Sequence, residues 1–213
     1  MKLLELFSGT RSVGKVADEM GWDVVSLDLK DADINCDILD WDYREYPSGY
    51  FDVVWASPPC NTFSTLRRSW IGRCGYTKES IQRDIEEKGL PILRRTLEII
   101  EYFQPNYYFI ENPQTGHMKE YMQDYPHYDV DYCQYSDWGY RKRTRIWTNL
   151  EGFVPRLCHQ NCVNKINGKH KTSLEYTGPT SLKKRYRIPP MLIKELFECI
   201  SSYTVTHEIS GLQ

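Results

Sequence analysis

No apolar run in the sequence approaches the ~18 residues that a membrane-crossing helix needs. The opening stretch, MKLLELFSGTRSVG, turns polar too soon to act as an export signal. A disulfide framework is missing too: seven cysteines, an odd number in an unexported chain, read as reduced thiols with separate tasks. Internal repeats and low-complexity segments are absent. Net charge is nearly absent as well, at −2 from 27 basic and 29 acidic side chains. These absences lead us to expect an intracellular protein, cytoplasmic or with the nucleoid or nucleus, off the membrane and by default monomeric. What remains, 213 residues with 40% hydrophobic and 26% charged side chains, suits one globular domain and not a disordered chain.

The small net charge conceals a split. Residues 1–60 carry a net −7, whereas residues 152–194 carry +8, with Glu175 as their one acid. A basic face for a polyanion beside an acidic lobe is the functional reading of that split.

Strand and helix patterns alternate along the chain. Lys2–Phe7 reads as a short strand running into Ser8-Gly9-Thr10-Arg11-Ser12-Val13-Gly14, a turn that opens a helix striped by Val13, Val16, Ala17 and Met20. Strands are expected at Asp23–Asp28, Ile34–Leu39, Phe51–Ala56 and Tyr107–Glu111, with a closing pair at Tyr128–Tyr135 and Arg143–Asn149. A helix is expected from Glu79 to Phe103, kinked or broken after Gly89 because of Pro91, with Ile92, Leu93, Leu97, Ile100 and Tyr102 toward the core. This alternation implies an α/β fold, a mostly parallel sheet with helices on both faces, whose ligands sit at the carboxyl ends of the strands.

Three strand ends carry chemistry. After the first, the spacing Phe7-Ser8-Gly9-x4-Gly14 lets backbone approach a ligand and opens free helix N–H groups toward it. Asp28, ending the second strand, is placed to accept ribose hydroxyls, and Asp37-Ile38 to meet an adenine edge. The acidic N-terminal third favours a cofactor that is cationic and free of phosphate, which describes S-adenosylmethionine. After Phe51–Ala56 comes Ser57-Pro58-Pro59-Cys60, where two prolines stiffen the backbone and present Cys60 at the sheet edge as a candidate nucleophile. Tyr107–Glu111 then delivers a single carboxylate, followed by Asn112 and Pro113. Arg143 and Arg145 alternate on one strand and share a face. By themselves they read as a solvated basic edge.

In order and spacing, these segments resemble the cytosine-C5 DNA methyltransferase family from Leu3 to about Leu150. The similarity rests on the Phe-x-Gly opening, Ser57-Pro58-Pro59-Cys60, Glu111-Asn112 and Lys142-Arg143-Thr144-Arg145. Amino-methylating enzymes place Asn or Asp before Pro-Pro-aromatic instead. The resemblance implies a Rossmann-like S-adenosylmethionine-dependent fold and transfer of a methyl group to cytosine C5 in DNA, expected to be double-stranded. Cys60 would be the nucleophile at C6, and Glu111 the partner of cytosine N3. Arg143 and Arg145 would line the base pocket, with Arg143 also lowering the Cys60 pKa. Phe7, Ser8, Gly9, Thr10, Asp28, Leu29, Asp37, Ile38 and Pro58 would border the cofactor. Asn61 through Lys78, with Arg67, Arg68, Arg73 and Trp70, corresponds to a loop that closes over the flipped nucleotide; unstructured loops above ~12–15 residues are uncommon unless functional or disordered.

Departures from the family pattern are Pro113 in place of the usual Val and Arg141 in place of the usual Gln. The long target-recognition region is reduced to a short basic interval with Arg156, Lys165, Lys169, Lys171, Lys183, Lys184, Arg185 and Arg187. The expected organisation is therefore a catalytic and cofactor domain over 1–150, a reduced basic recognition segment over 151–185, and a C-terminal helix over 186–213 packing back. Cys158, His159, Cys162 and His170 have a spacing that raises a zinc site, but Cys158 and His159 are adjacent and would need an unusual turn to share an ion. They are read here as free side chains, with no metal. The alternatives in function are a methyltransferase for cytosine in RNA or a free nucleotide, and an inactive nucleic-acid-binding relative.

Overall fold

The computed structural model describes residues 1–73, 75–173 and 184–210, with residues 201–210 described as backbone only. Seven strands form one sheet: β1 Lys2–Leu6, β2 Asp23–Asp28, β3 Ile34–Asn35, β4 Val53–Ala56, β5 Tyr107–Pro113, β6 His127–Asp131 and β7 Arg143–Thr148. Their spatial order is β3-β2-β1-β4-β5-β7-β6. The first five strands are parallel, and β7 runs antiparallel to both β5 and β6. The third expected strand shrinks to two residues. Asp37 ends it by capping its own turn, its carboxylate accepting from the Leu39 N–H at 2.9 Å.

Successive strand residues point to opposite faces, so the sheet has two cores. On one face Leu3, Val53, Trp55, Phe109 and Ile146 meet helix α1 (Ser12–Glu19) and the C-terminal helix α4 (Pro190–Ser210). In α4, Leu192, Ile193, Leu196, Phe197 and Ile200 recur at helical spacing and are fully buried. Phe197 stacks on Trp22 with ring centroids 4.4 Å apart. On the other face Leu4, Leu6, Val54, Ala56, Ile110 and Trp147 meet helix α3 (Leu90–Phe103) and an aromatic cluster that includes Trp41, Tyr43 and Phe51.

The long helical stretch is not broken at Pro91. It runs as helix α2 (Lys78–Asp84), one π-turn over Ile85–Gly89, and then α3. Proline has no N–H to give the preceding turn, and the π-turn, in which the Leu90 N–H bonds the Ile85 carbonyl, absorbs that defect without a break. The register of the buried stripe shifts accordingly: Leu90, Leu93, Thr96, Ile99 and Phe103 face the core, while Ile92, Leu97, Ile100 and Tyr102 lie at its margin. Gly89 in that turn leaves the room that Phe63 fills; a Cβ there would stand 2.9 Å from the Phe63 ring. Phe63 is buried, so it pins the loop that follows Cys60.

Helix α1 leaves β1 toward one face, while α2 and α3 return from β4 on the other. The crevice between the ends of β1 and β4 is thus a topological switch point, the usual ligand position in an open α/β sheet. No helix among the described residues is long and apolar enough to cross a membrane.

Candidate active site

The loop after β1 is held in an unusual backbone conformation. Phe7, Gly9 and Arg11 all have φ near +50 to +60°, a region costly for residues with a side chain. Hydrogen bonds hold it. The Gly9 N–H donates to the Asp28 carboxylate at 2.9 Å, and the Leu29 N–H donates to the other Asp28 oxygen at 2.7 Å. Thr10 and Ser12 exchange a hydroxyl bond of 2.7 Å. Asp28 and Gly9 therefore meet, with Thr10 next in the chain. Leu29 is largely exposed beside them, whereas Ile38 is buried in the α3-side core.

Glu5 lies beneath this loop and did not stand out in the sequence. It is buried within β1, and its carboxylate accepts from the Val13 N–H at 3.2 Å and the Gly14 N–H at 3.0 Å. Burial pushes its pKa up to about 7, against the two N–H bonds and nearby Arg11. Gly14 is required by this contact, since a Cβ would stand 2.7 Å from the Glu5 oxygen. A lone acid in an otherwise apolar strand, nine residues before a glycine, was the available signal.

Among the described residues, the Ser8 hydroxyl is buried without a protein partner. A buried hydroxyl facing no protein acceptor, next to a strained glycine loop and an acid at the end of β2, fits S-adenosylmethionine, whose ribose and amino-acid portions need such donors and acceptors.

Cys60 and Glu111 are brought to the same crevice by the neighbouring parallel strands β4 and β5. The Asn112 side chain ties the two ends together, donating to the Pro58 carbonyl at 2.8 Å. Pro58 is buried and Pro59 exposed, leaving Cys60 half-buried behind them. Glu111 is buried; it accepts from the Tyr132 hydroxyl at 2.9 Å and faces Lys142 Nζ at 3.4 Å. Burial raises the Cys60 pKa above its usual value, and the Glu111 carboxylate adds to the rise; Lys142 is the largest opposing influence, followed by a backbone N–H bond and then Arg185. The expectation that a basic neighbour would leave this thiol acidic is corrected: desolvation outweighs the cations, and the foremost cation is Lys142, not Arg143.

Arg143 and Arg145 do not join Cys60 and Glu111. In the antiparallel register Glu111 stands opposite Ile146, and Asn112 opposite Arg145. Arg143 and Arg145 therefore project on the face away from Glu111. Each is engaged there by an acid of β6. Arg143 makes a two-point contact with Asp131 (2.6 and 3.2 Å), and Arg145 makes one with Asp129 (2.7 and 2.9 Å). Asp131 is fully buried, and its bonds to Arg143, Arg141 and the Cys158 N–H hold its carboxyl below the usual range despite that burial. Lys142 and Tyr132 fill the position beside Glu111 that the arginines were expected to take. Lys142 was given no role of its own in the sequence; its place next to Arg143, one residue off the Arg143/Arg145 face, was the signal.

The segment entering α4 lies across this crevice. Lys142 Nζ donates to the Arg185 carbonyl (3.0 Å), the Tyr140 hydroxyl to the Lys184 carbonyl (3.0 Å), and the Ile188 N–H to Ser12 Oγ (3.2 Å). Arg187 stacks over Trp138 at 3.6 Å. The loop after Cys60 carries one 3-10 turn, Thr65–Trp70, and exposes Leu66, Trp70 and Ile71. Arg67 anchors it through an ion pair to Asp84. Within the basic interval, Lys183 lies outside the described residues.

No family model matches the chain. A Frog virus 3 (isolate Goorha) protein named "Probable DNA (cytosine-5)-methyltransferase" is 51% identical over 212 residues, covering 93% of this chain and 99% of that protein. Among solved structures, an Entamoeba histolytica methyltransferase, EhMeth, superposes with a TM-score of 0.52 at 14% identity over 74% of this chain and 55% of its own. A mutant of Spodoptera frugiperda DNMT2 gives 0.46 at 16% identity over 73% of this chain and 53% of its own. The chain thus spans about half the length of these solved structures. It spans nearly all of the viral relative.

Proposed function

The chain belongs to the cytosine-C5 DNA methyltransferase family, and from that premise we propose that it methylates C5 of a cytosine turned out of duplex DNA, through a covalent bond to Cys60. The observation that carries this reading is the delivery of Cys60 and Glu111 by adjacent strand ends into the crevice that also holds Gly9 and Asp28. When bound, S-adenosylmethionine supplies an electrophilic methyl group on its sulfonium. Phe7, Ser8, Gly9, Thr10, Asp28, Leu29, Asp37 and Pro58 are the residues we assign to hold it; Ile38 supports them from the core.

Carbon 5 of cytosine is a poor nucleophile. Addition of the Cys60 thiolate at C6 forms an S–C6 bond and turns C5 into an enamine carbon able to accept the methyl group. Glu111 holds a proton at, or hydrogen-bonds, N3 and so eases that addition. The C5 proton then passes to solvent water, and its bonding electrons expel the C6 substituent, breaking the S–C6 bond and returning Cys60 as thiolate. Tyr132 and Lys142 fix the Glu111 carboxyl from the side away from the base, and Lys142 also favours the thiolate. Arg143 and Arg145, tied to Asp131 and Asp129, act here as braces of the β6–β7 pair. The loop 61–78 is assigned as the lid over the flipped base, whose extrusion costs a few kcal/mol. We assign residues 1–150 to the catalytic unit, 151–185 to a reduced recognition segment, and the chain from 186 onward, which carries α4, to the element that packs back.

The test is methyl transfer from labelled cofactor to duplex DNA, single-stranded DNA, RNA and dCMP in parallel. Duplex DNA is expected to be methylated, and duplex containing 5-fluorocytosine, which blocks the final proton loss, is expected to trap a Cys60 adduct. Cys60→Ser should abolish both while cofactor binding stays within about twofold. Methylation by Cys60→Ser would remove Cys60 from the chemistry, and an adduct with RNA but not DNA would change the substrate.

A further inference from the structure

Three thiols and one imidazole from separate parts of the chain converge away from the crevice. Cys133 follows β6, Cys158 and Cys162 lie in the loop after β7, and His170 ends a two-stranded hairpin of β8 (Lys165–Ile166) and β9 (Lys169–His170). Their ligand atoms all lie within 4.8 Å of one another. Cys158 Sγ is 3.5 Å and Cys162 Sγ 3.9 Å from His170 Nε2. A tetrahedral zinc with Zn–S near 2.3 Å and Zn–N near 2.0–2.1 Å puts its ligands roughly 3.5–3.8 Å apart. The four donors therefore stand within about an ångström of the spacing that a Cys3His site needs. His159, adjacent to Cys158, takes no part, so the strained turn that argued against zinc in the sequence is not needed.

The surroundings are those of a built site. The Gln134 amide donates to Cys162 Sγ at 3.2 Å. Such donors stabilise a metal-bound thiolate. Asn164 is buried and clasps the turn that carries Cys133, donating to the Cys133 and Ser136 carbonyls at 2.8 and 2.7 Å. The hairpin turns at Asn167-Gly168, both with positive φ, which sends β9 straight back and brings His170 to the sulfurs.

The segment also has little else to fold around. Across residues 151–173, Phe153, Cys162 and Asn164 are the buried ones, while Val154, Leu157, Val163 and Ile166 are exposed. A stretch with so small an apolar core requires a staple to stay ordered. We propose that Cys133, Cys158, Cys162 and His170 bind one structural zinc ion that fastens the basic hairpin to the turn after β6. The ion has four protein ligands and no open position, so its role is structural and not catalytic. Tyr132, the neighbour of Cys133, holds Glu111, so the staple also braces the residue behind the active-site acid.

The experiment is metal analysis of the untagged full chain purified under reducing conditions, followed by removal of metal and titration with cobalt(II). About one zinc per chain is expected, and the cobalt form should show the intense visible bands and the thiolate charge transfer of a tetrahedral sulfur-rich site. Metal affinity should fall more than about tenfold in Cys133→Ser and in His170→Ala. It should hold in His170→Cys, which keeps four ligands, and in Cys60→Ser, which removes the other candidate thiol. Absence of stoichiometric zinc together with no cobalt binding by the stripped chain overturns the proposal. Full affinity retained in both Cys133→Ser and His170→Ala overturns the ligand assignment.

Discussion

Cys60 is the last residue of a stiff Ser57-Pro58-Pro59 turn, and its burial has a chemical consequence. A thiol pushed above its usual pKa is mostly protonated at neutral pH, so the free protein holds a masked nucleophile. Lys142 is the main group working the other way. Removing it should leave the thiolate rarer still and move the alkylation profile of Cys60 to higher pH. The check is the rate of iodoacetamide modification at Cys60, followed by peptide mass spectrometry between about pH 7 and 10. In Lys142→Met the rate near pH 8 should drop by about tenfold for each unit the thiol pKa rises. Equal profiles for the two proteins would show that Lys142 does not tune the thiol. Cys60 and Glu111 were legible in the sequence because prolines and strand ends mark such residues. Lys142 was hidden, because only the β5–β7 register decides which of two alternating basic residues meets Glu111.

At the scale of elements, β1 and α1 are joined through the Glu5 carboxylate, which sits under the first turn of the helix and receives its N–H groups. Its raised pKa gives this joint a definite pH dependence. In the unfolded chain Glu5 loses its proton near 4.5; in the folded chain it keeps that proton until about 7. Folding therefore gains from the bound proton below pH 4.5, and the gain disappears as pH rises through 7. The amount is on the order of 3 kcal/mol, from about 1.36 kcal/mol per pKa unit. Urea unfolding of wild type and Glu5→Gln at pH 5 and pH 8 isolates it: wild type should gain on the variant by that order at the lower pH. A difference between the two proteins that is the same at both pH values would refute the assignment. The strand–helix alternation, β1 and β2 were readable from periodicity, and a C-terminal helix was too, though it begins at Pro190 and not at 186. The π-turn and the shifted face of α3 were not, since a hydrophobic stripe read at 3.6 residues per turn slips when one turn takes an extra residue.

The whole molecule keeps its two charge signs apart, −7 over residues 1–60 and +8 over 152–194, and the fold gives that separation a shape. The acidic end supplies β1, β2 and the loops that hold Asp28 and Asp37, while the basic interval supplies the hairpin with Lys165, Lys169 and Lys171. Lys169 and Lys171 are exposed, and Lys165 is partly so. If this basic interval is the recognition segment we propose, it offers few side chains to read base edges, so contacts to phosphate would supply most of its affinity for DNA. Such contacts release counterions, and each phosphate neutralised adds about −0.9 to the slope of log affinity against log salt. Replacing Lys169 and Lys171 with alanine should therefore make the slope shallower by about 1 per lysine, and weaken binding to all sequences alike. Fluorescence anisotropy of labelled duplexes of several sequences, titrated from about 50 to 200 mM salt, measures both quantities. An unchanged slope with reduced affinity would mean that the lysines support the hairpin and do not touch phosphate. A loss confined to one sequence would mean that the hairpin reads bases. Only the uniform loss with the shallower slope fits a basic face that holds the duplex by its backbone while the crevice beside Cys60 receives the base.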